Sequence, residues 1–193
     1  MDEKQANIMN NEGQMVPAGG IVCDKEVDNE ISINVNHVGY TLNKKSTIDK
    51  KILSCSRRPY DFKMKSGNYV GELSTAAFEL FRGDIDTYLR GKKEYIIKVT
   101  ETKDRAGKTT QDAIRVKENP GVKEFNFDDL PLLYTVNMWR TKDKVMVNGS
   151  AVRKFIDEDL PNMTANIDNV SDLLEGANSH YKKCLELRYL NFH

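Results

Sequence analysis

The sequence predicts an α+β fold: two repeated units of antiparallel sheet plus helix (ββββα-like), followed by a long C-terminal amphipathic helix. Three observations predict it. Between Tyr134 and Leu160 the apolar residues first alternate (Tyr134, Val136, Met138), the period of a strand buried on one side, and the chain then passes through Asn148-Gly149-Ser150 into a helical segment. Between Tyr60 and Leu89 the same order recurs, with Tyr60, Phe62 and Met64 alternating and Phe78, Phe81, Ile85 and Leu89 at helical spacing. From Ile167 to Leu190 apolar residues return every three or four positions, among them Val170, Leu174, Ala177, Tyr181 and Leu185.

Taken in order, residues 1–29 are polar and aperiodic and include Pro-Ala-Gly-Gly, which predicts a flexible acidic tail. Ile31, Ile33 and Val35 alternate, and Val38, Tyr40 and Leu42 continue on the opposite parity, so a strand with a bulge near His37 and Gly39 is expected. Lys51–Ser56 reads as a short strand closed by Arg57-Arg58-Pro59. A hairpin with a Ser-Gly-Asn turn leads to a helix capped by Ser74 and stopped at Gly91. Tyr95, Ile97 and Val99 form the next strand, Asp104–Gly107 its turn, and Ile114 and Val116 the return. Asn119-Pro120-Gly121 opens a connector, 119–131, that carries Phe125 and Phe127. The second hairpin turns at Thr141–Asp143, Ser150 caps the helix after it, and Leu160-Pro161 ends that helix. The expected organisation is therefore a tail (1–29), an α+β domain of two repeats (30–91 and 92–161), and a terminal helix (162–193) that either packs on the domain's own sheet or, the favoured alternative, pairs with the same helix of a second copy in a homodimer.

Composition narrows the function classes. At 193 residues, 39% apolar and 30% charged, the chain can bury a core and is not of disordered type. No run reaches the roughly 18 apolar residues of a membrane span, and the N-terminus lacks a signal-peptide core, which predicts an intracellular (cytoplasmic or nuclear) protein with no membrane partner. Three scattered cysteines, Cys23, Cys55 and Cys184, suit a reducing compartment. The zero net charge conceals an asymmetry. Residues 1–39 hold two basic and seven acidic side chains, residues 40–123 hold 19 and 11, and residues 124–193 hold eight and 11. The middle of the chain is thus basic between acidic flanks.

The layout, strands and helix echoed by strands and helix over roughly residues 31–160, resembles that of the PUR-domain and Whirly-type single-stranded nucleic-acid-binding folds. The resemblance lies in element order and in the echo of the two hairpin–helix units. It implies a curved antiparallel sheet that binds single strands, with paired halves or dimers. A second layout treats residues 31–117 as an OB-fold order, β-β-β-α-β-β, with the second hairpin appended; that fold also commonly binds single strands.

Strand parity then selects a surface. If Tyr60, Phe62, Met64, Tyr95, Ile97, Val99, Ile114, Val116, Tyr134, Val136 and Met138 face the helices, their neighbours Lys63, Lys65, Lys98, Arg115, Lys117, Asn137 and Trp139 face away. Cations pair with phosphates and the chain's single tryptophan can stack an unpaired base, so this face fits single-stranded DNA or RNA. Arg140, next to Trp139, and Arg57 and Arg58, in an expected basic loop with Lys44, Lys45, Lys50 and Lys51, complete the expected contact set.

No catalytic residue, metal ligand or cofactor is expected. His37, His180 and His193 share no ligand spacing with each other or with a cysteine, no nucleophile–base pairing is legible, and the tail glycines form no phosphate loop. Two other readings compete with nucleic-acid binding. One is a protein-interaction or assembly module anchored by the apolar connector. The other is a divalent-metal-dependent nuclease or phosphodiesterase using Asp84 and Asp86, or Asp157, Glu158 and Asp159, which should otherwise be exposed or paired near helix C-termini.

Overall fold

The computed structural model describes residues 44–190, so the tail, the strand expected at 31–42, Cys23, His37 and His193 lie outside the described residues. Among the described residues six strands form one antiparallel sheet: β1 (Tyr60–Lys65), β2 (Asn68–Leu73), β3 (Tyr95–Lys103), β4 (Thr109–Glu118), β5 (Leu132–Trp139) and β6 (Lys144–Asn148). Their order across the sheet is β1-β2-β6-β5-β4-β3. A hairpin (β1–β2) thus joins a four-strand meander (β3–β6) through the central β2–β6 pairing, in which Tyr69 lies opposite Val147 and Gly71 opposite Val145. Both hairpin–helix units seen in the sequence are present, and their inner strands pair with each other. Among the described residues the unit 30–91 supplies two strands and the unit 92–161 four.

The turns have local causes. Ser66 and Gly67 both take positive φ (50° and 77°), the two-residue type I′ geometry that matches strand twist. The Asp104 carboxylate accepts from the amides of Ala106 (2.8 Å) and Lys108 (3.0 Å), closing β3–β4. In β2, Gly71 lies directly opposite Phe62, whose ring lies where a Cβ would stand.

The helices are α1 (Lys45–Cys55), α2 (Thr75–Gly91), α3 (Val152–Lys154), α4 (Leu160–Asn169) and α5 (Ser171–Leu190), with a π turn, Phe155–Asp159, joining α3 to α4. All contribute to one core on a single sheet face. Ile114, Val116, Tyr134, Val136, Met138, Val145 and Val147 meet Ile48, Phe78, Phe81, Ile85, Phe155, Ile167 and Tyr181 there. Each such side chain contributes on the order of 1.5–3 kcal/mol by leaving water. No helix among the described residues is long and apolar enough to cross a membrane.

Four local expectations are corrected. Lys51–Ser56 belongs to helix α1 and not to a strand: its buried face is Ile48, Lys51, Ser54 and Cys55, a helical spacing that uses a lysine as a core position. The helix after β6 does not stop at Leu160-Pro161. Pro161 cannot donate to the preceding turn, and the backbone widens into the π turn and runs on as α4. Ser150 does not cap that helix; its hydroxyl donates to the Leu132 carbonyl (3.2 Å), and Ala151 occupies the N-cap position. The terminal helix is interrupted at Val170, so α5 begins at Ser171. Ser74 does cap α2, accepting from Ala77 N, and Asn178 of α5 completes that cap, accepting from Ala76 N (2.9 Å) and donating to Ser74 Oγ (3.0 Å).

Two buried polar hubs join the layers. Lys51 pairs with Asp143, and Thr75 Oγ1 donates to the other Asp143 oxygen at 2.8 Å, tying α1 and α2 to the β5–β6 turn. In the π turn, Asp159 accepts from Tyr134 (2.6 Å), Tyr95 (3.0 Å) and Tyr88 (3.3 Å), tying α2, β3 and β5 to the α3–α4 segment. Burial first, and the Asp159 charge beside them, push the Tyr95 and Tyr134 phenols well above their usual range. Elsewhere in the acidic clusters Asp86 pairs with Arg90, Asp157 pairs with Arg153, and Asp84 accepts from Asn166 Nδ2 (3.4 Å).

Candidate nucleic-acid interface

Among the described residues the second face of the sheet carries no helix. Its side chains follow from strand parity, and the register lines them up in three rows across the strands. One row runs Lys98–Arg115–Thr135–Asn148 from β3 to β6. The next runs Thr100–Ala113–Asn137–Met146–Val70–Lys63, from edge to edge of the sheet. The third runs Thr102–Gln111–Trp139–Lys144–Glu72–Asp61. At about 4.8 Å per strand, a full row spans roughly 24 Å.

The centre of this face is an amide network. Gln111 Nε2 donates to Asn137 Oδ1 (3.2 Å), and Asn137 Nδ2 donates to Asn148 Oδ1 (3.3 Å). These bonds hold three side-chain amides in fixed orientation on β4, β5 and β6. Beside them a shallow depression of about 460 Å³ is lined by Arg115, Thr100, Thr135, Asn137 and Asn148, among others. Arg115 is exposed and forms no ion pair among the described residues, and Lys65 is likewise exposed. Trp139 is half-buried between Gln111 and Lys144.

The expected contact residues divide accordingly. Lys63, Lys65, Lys98, Arg115, Lys117, Asn137 and Trp139 do share this face. Several of their charges are already paired: Lys63 with Asp61 at 2.9 Å, and Lys98 with Asp128 at 3.6 Å. Lys117 is 6% exposed and donates to the carbonyls of Phe127 (2.8 Å) and Asp128 (3.1 Å). Arg140 is held by a two-pronged bond to Asp112 (2.7 and 2.6 Å). Arg57 donates to the carbonyls of Leu73 (3.4 Å) and Lys142 (3.1 Å), a clamp between β2 and the β5–β6 turn. Arg58 is exposed in the segment between α1 and β1. The basic loop is itself corrected, since Lys45, Lys50 and Lys51 lie on α1 and Lys51 points inward.

The amides and hydroxyls of Gln111, Thr100, Thr135 and Asn148 are the part of this surface that a search for cations and aromatics passes over. The parity rule that selected Lys98 and Arg115 would have found them. The connector's position on the face had no sequence signal.

Among the described residues no group of three or more His, Cys, Asp or Glu side chains is placed to hold a metal ion. Cys184 Sγ lies 3.6 Å from His180 Nε2 one turn away on α5, and Cys55, buried beside Thr75, has its thiol pushed up by burial. No protein family, curated protein or solved structure matches the chain.

Proposed function

We propose that this protein is a non-catalytic single-stranded nucleic-acid-binding protein that uses the helix-free face of its sheet. The observation that carries the reading is the co-alignment of Arg115, the Gln111–Asn137–Asn148 amides and Trp139 on that face. Each supplies what a splayed single strand needs: a guanidinium for phosphate, oriented amides for base edges, and an aromatic plane for stacking. The contact set narrows to Arg115, Lys65, Asn137 and Trp139, with Lys63, Lys98 and Lys144 able to exchange a carboxylate partner for a phosphate.

Trp139 is the chain's only tryptophan, so its fluorescence reports on this face alone. Titration with single-stranded DNA and RNA oligonucleotides should quench it, and the quenching should weaken between low and physiological salt. No quenching, with no retention of oligonucleotide in an independent assay, rules the reading out.

A protein-assembly role is favoured by one observation, the exposure of the connector's Val122 (57%) and Phe125 (43%). Binding through these groups would persist as salt is raised. The stripe expected to form a homodimer is buried within the chain itself, since Leu174, Ala177, Tyr181 and Leu185 lie in its own core. A dimer through α5 would have to use the other side of that helix, where Leu173 and Leu187 are exposed.

A further inference from the structure

Among the described residues, part of the connector meets the helix-free face, where it engages Lys98, a cation the proposed interface would use, and its neighbour Lys117. Residues 121–126 are exposed throughout, and the segment meets the sheet at Phe127 and Asp128. There the Phe127 ring lies 4.8 Å from Lys117 Nζ and 5.4 Å from Lys98 Nζ, measured to its centroid. The Asp128 carboxylate lies 3.6 Å from Lys98, and the carbonyls of both residues accept from Lys117. An aromatic ring between two ammonium groups, with a carboxylate on one of them, is the pattern a base and a phosphate would present to the same lysines. The surrounding sequence, Glu124-Phe-Asn-Phe-Asp-Asp129, is acidic or aromatic at every position but Asn126.

We infer that Glu124–Asp129 is a strap that masks Lys98 and Lys117 and competes with the single strand for this face. The inference rests on the nucleic-acid reading above and adds regulation to it. Anchoring of this kind can yield. Asp128 is 64% and Lys98 47% exposed in their pairing, which makes that bond a weak surface contact. The strap's other apolar ring, Phe125, is itself 43% exposed. Held in place, the strap leaves Arg115 beside a partly filled depression. Displaced, it opens a run of Lys117, Lys98 and Arg115 at one end of the face.

The test is oligonucleotide affinity of the full chain as a function of salt, for the unaltered protein and for Phe127→Ala combined with Asp128→Asn. Asp128→Asn alone serves as a milder variant, and thermal melting checks that each folds. Freed lysines should raise affinity about three- to tenfold at low salt. They should also steepen the salt dependence by about 1.4, the counterions released by two further phosphate contacts on a single strand. Binding by the double variant when the unaltered chain shows none would support the strap and the interface together. Equal or weaker binding by the variants, with the unaltered chain binding, overturns the strap and leaves the interface standing. No binding by any of the three overturns both.

Discussion

Lys51 and Asp143 form an ion pair in the interior, the lysine side chain 1% and the aspartate 0% exposed, across 92 positions of sequence. Asp143 takes positive φ (50°), and its carbonyl accepts from Leu73 N at 3.0 Å. The pair therefore ties α1, the start of α2 and the β5–β6 turn at one point. Removing one partner of such a pair leaves the other charge buried and costs about 3–5 kcal/mol, whereas replacing both can be near neutral. Lys51→Met should lower the unfolding free energy measured by urea titration by that order. Lys51→Met with Asp143→Asn should recover most of it, since asparagine tolerates positive φ. A Lys51→Met variant as stable as the parent would show that the pair does not hold these layers together.

Gly71 gives a second stability prediction. The Phe62 ring lies across it from the neighbouring strand and continues toward Tyr69 and Phe81, with ring centroids 5.6 and 6.1 Å away. A methyl group there must displace the ring, so Gly71→Ala should cost about 1–3 kcal/mol. Thermal melting measures it. The same change at Gly83, where an added Cβ meets nothing, should be neutral or slightly stabilising, since alanine is the better helix former.

The tyrosines predict alkaline behaviour. Burial raises the phenols of Tyr95, Tyr134 and Tyr181 well above the usual value of 10.0, and Asp159 adds to the effect at the first two. The folded chain keeps protons that the unfolded chain releases near pH 10. Stability from these groups is therefore present below that pH and lost as pH rises above it. In an alkaline titration followed by phenolate absorbance, these three should ionise only together with unfolding. Reversible titration of all eight tyrosines near pH 10 in a folded protein would contradict it. Tyr134→Phe, which removes the shortest of the three bonds to Asp159, should cost about 1.5–3 kcal/mol.

On the proposed interface, Trp139→Ala should weaken oligonucleotide binding by about 1–3 kcal/mol, the range of one stacked base. Arg115→Ala should act differently, lowering the salt slope by about 0.7, one phosphate contact on a single strand. Arg140→Ala should leave the slope unchanged, because that guanidinium is committed to Asp112. Filter retention at several salt concentrations separates the three. A lost slope in Arg140→Ala with none in Arg115→Ala would place the contact elsewhere.

Much of the sheet was legible in the sequence because strand parity is a local property. The alternations of Tyr60–Met64, Ile114–Val116 and Tyr134–Met138 identify one buried side, and the register places every one of those residues on the helix-covered face. The helix at α1 was not legible. Its core face includes Lys51, and a lysine reads as a solvent residue until Asp143 is known to lie against it. The break at Val170 and the run through Pro161 were equally hidden, because a π turn and the packing of α4 decide them.

The same division holds for the candidate interface. The sequence alone determined which side chains point away from the core, since successive side chains of a strand point to opposite faces. Only the tertiary structure decided which of those charges remain available. Arg140, Arg57 and Lys117 are engaged by Asp112, by the carbonyls of Leu73 and Lys142, and by the connector, partners between 10 and 85 positions away. Parity is set by neighbouring bonds along one strand. Charge pairing is set by which distant segments the packed core brings alongside.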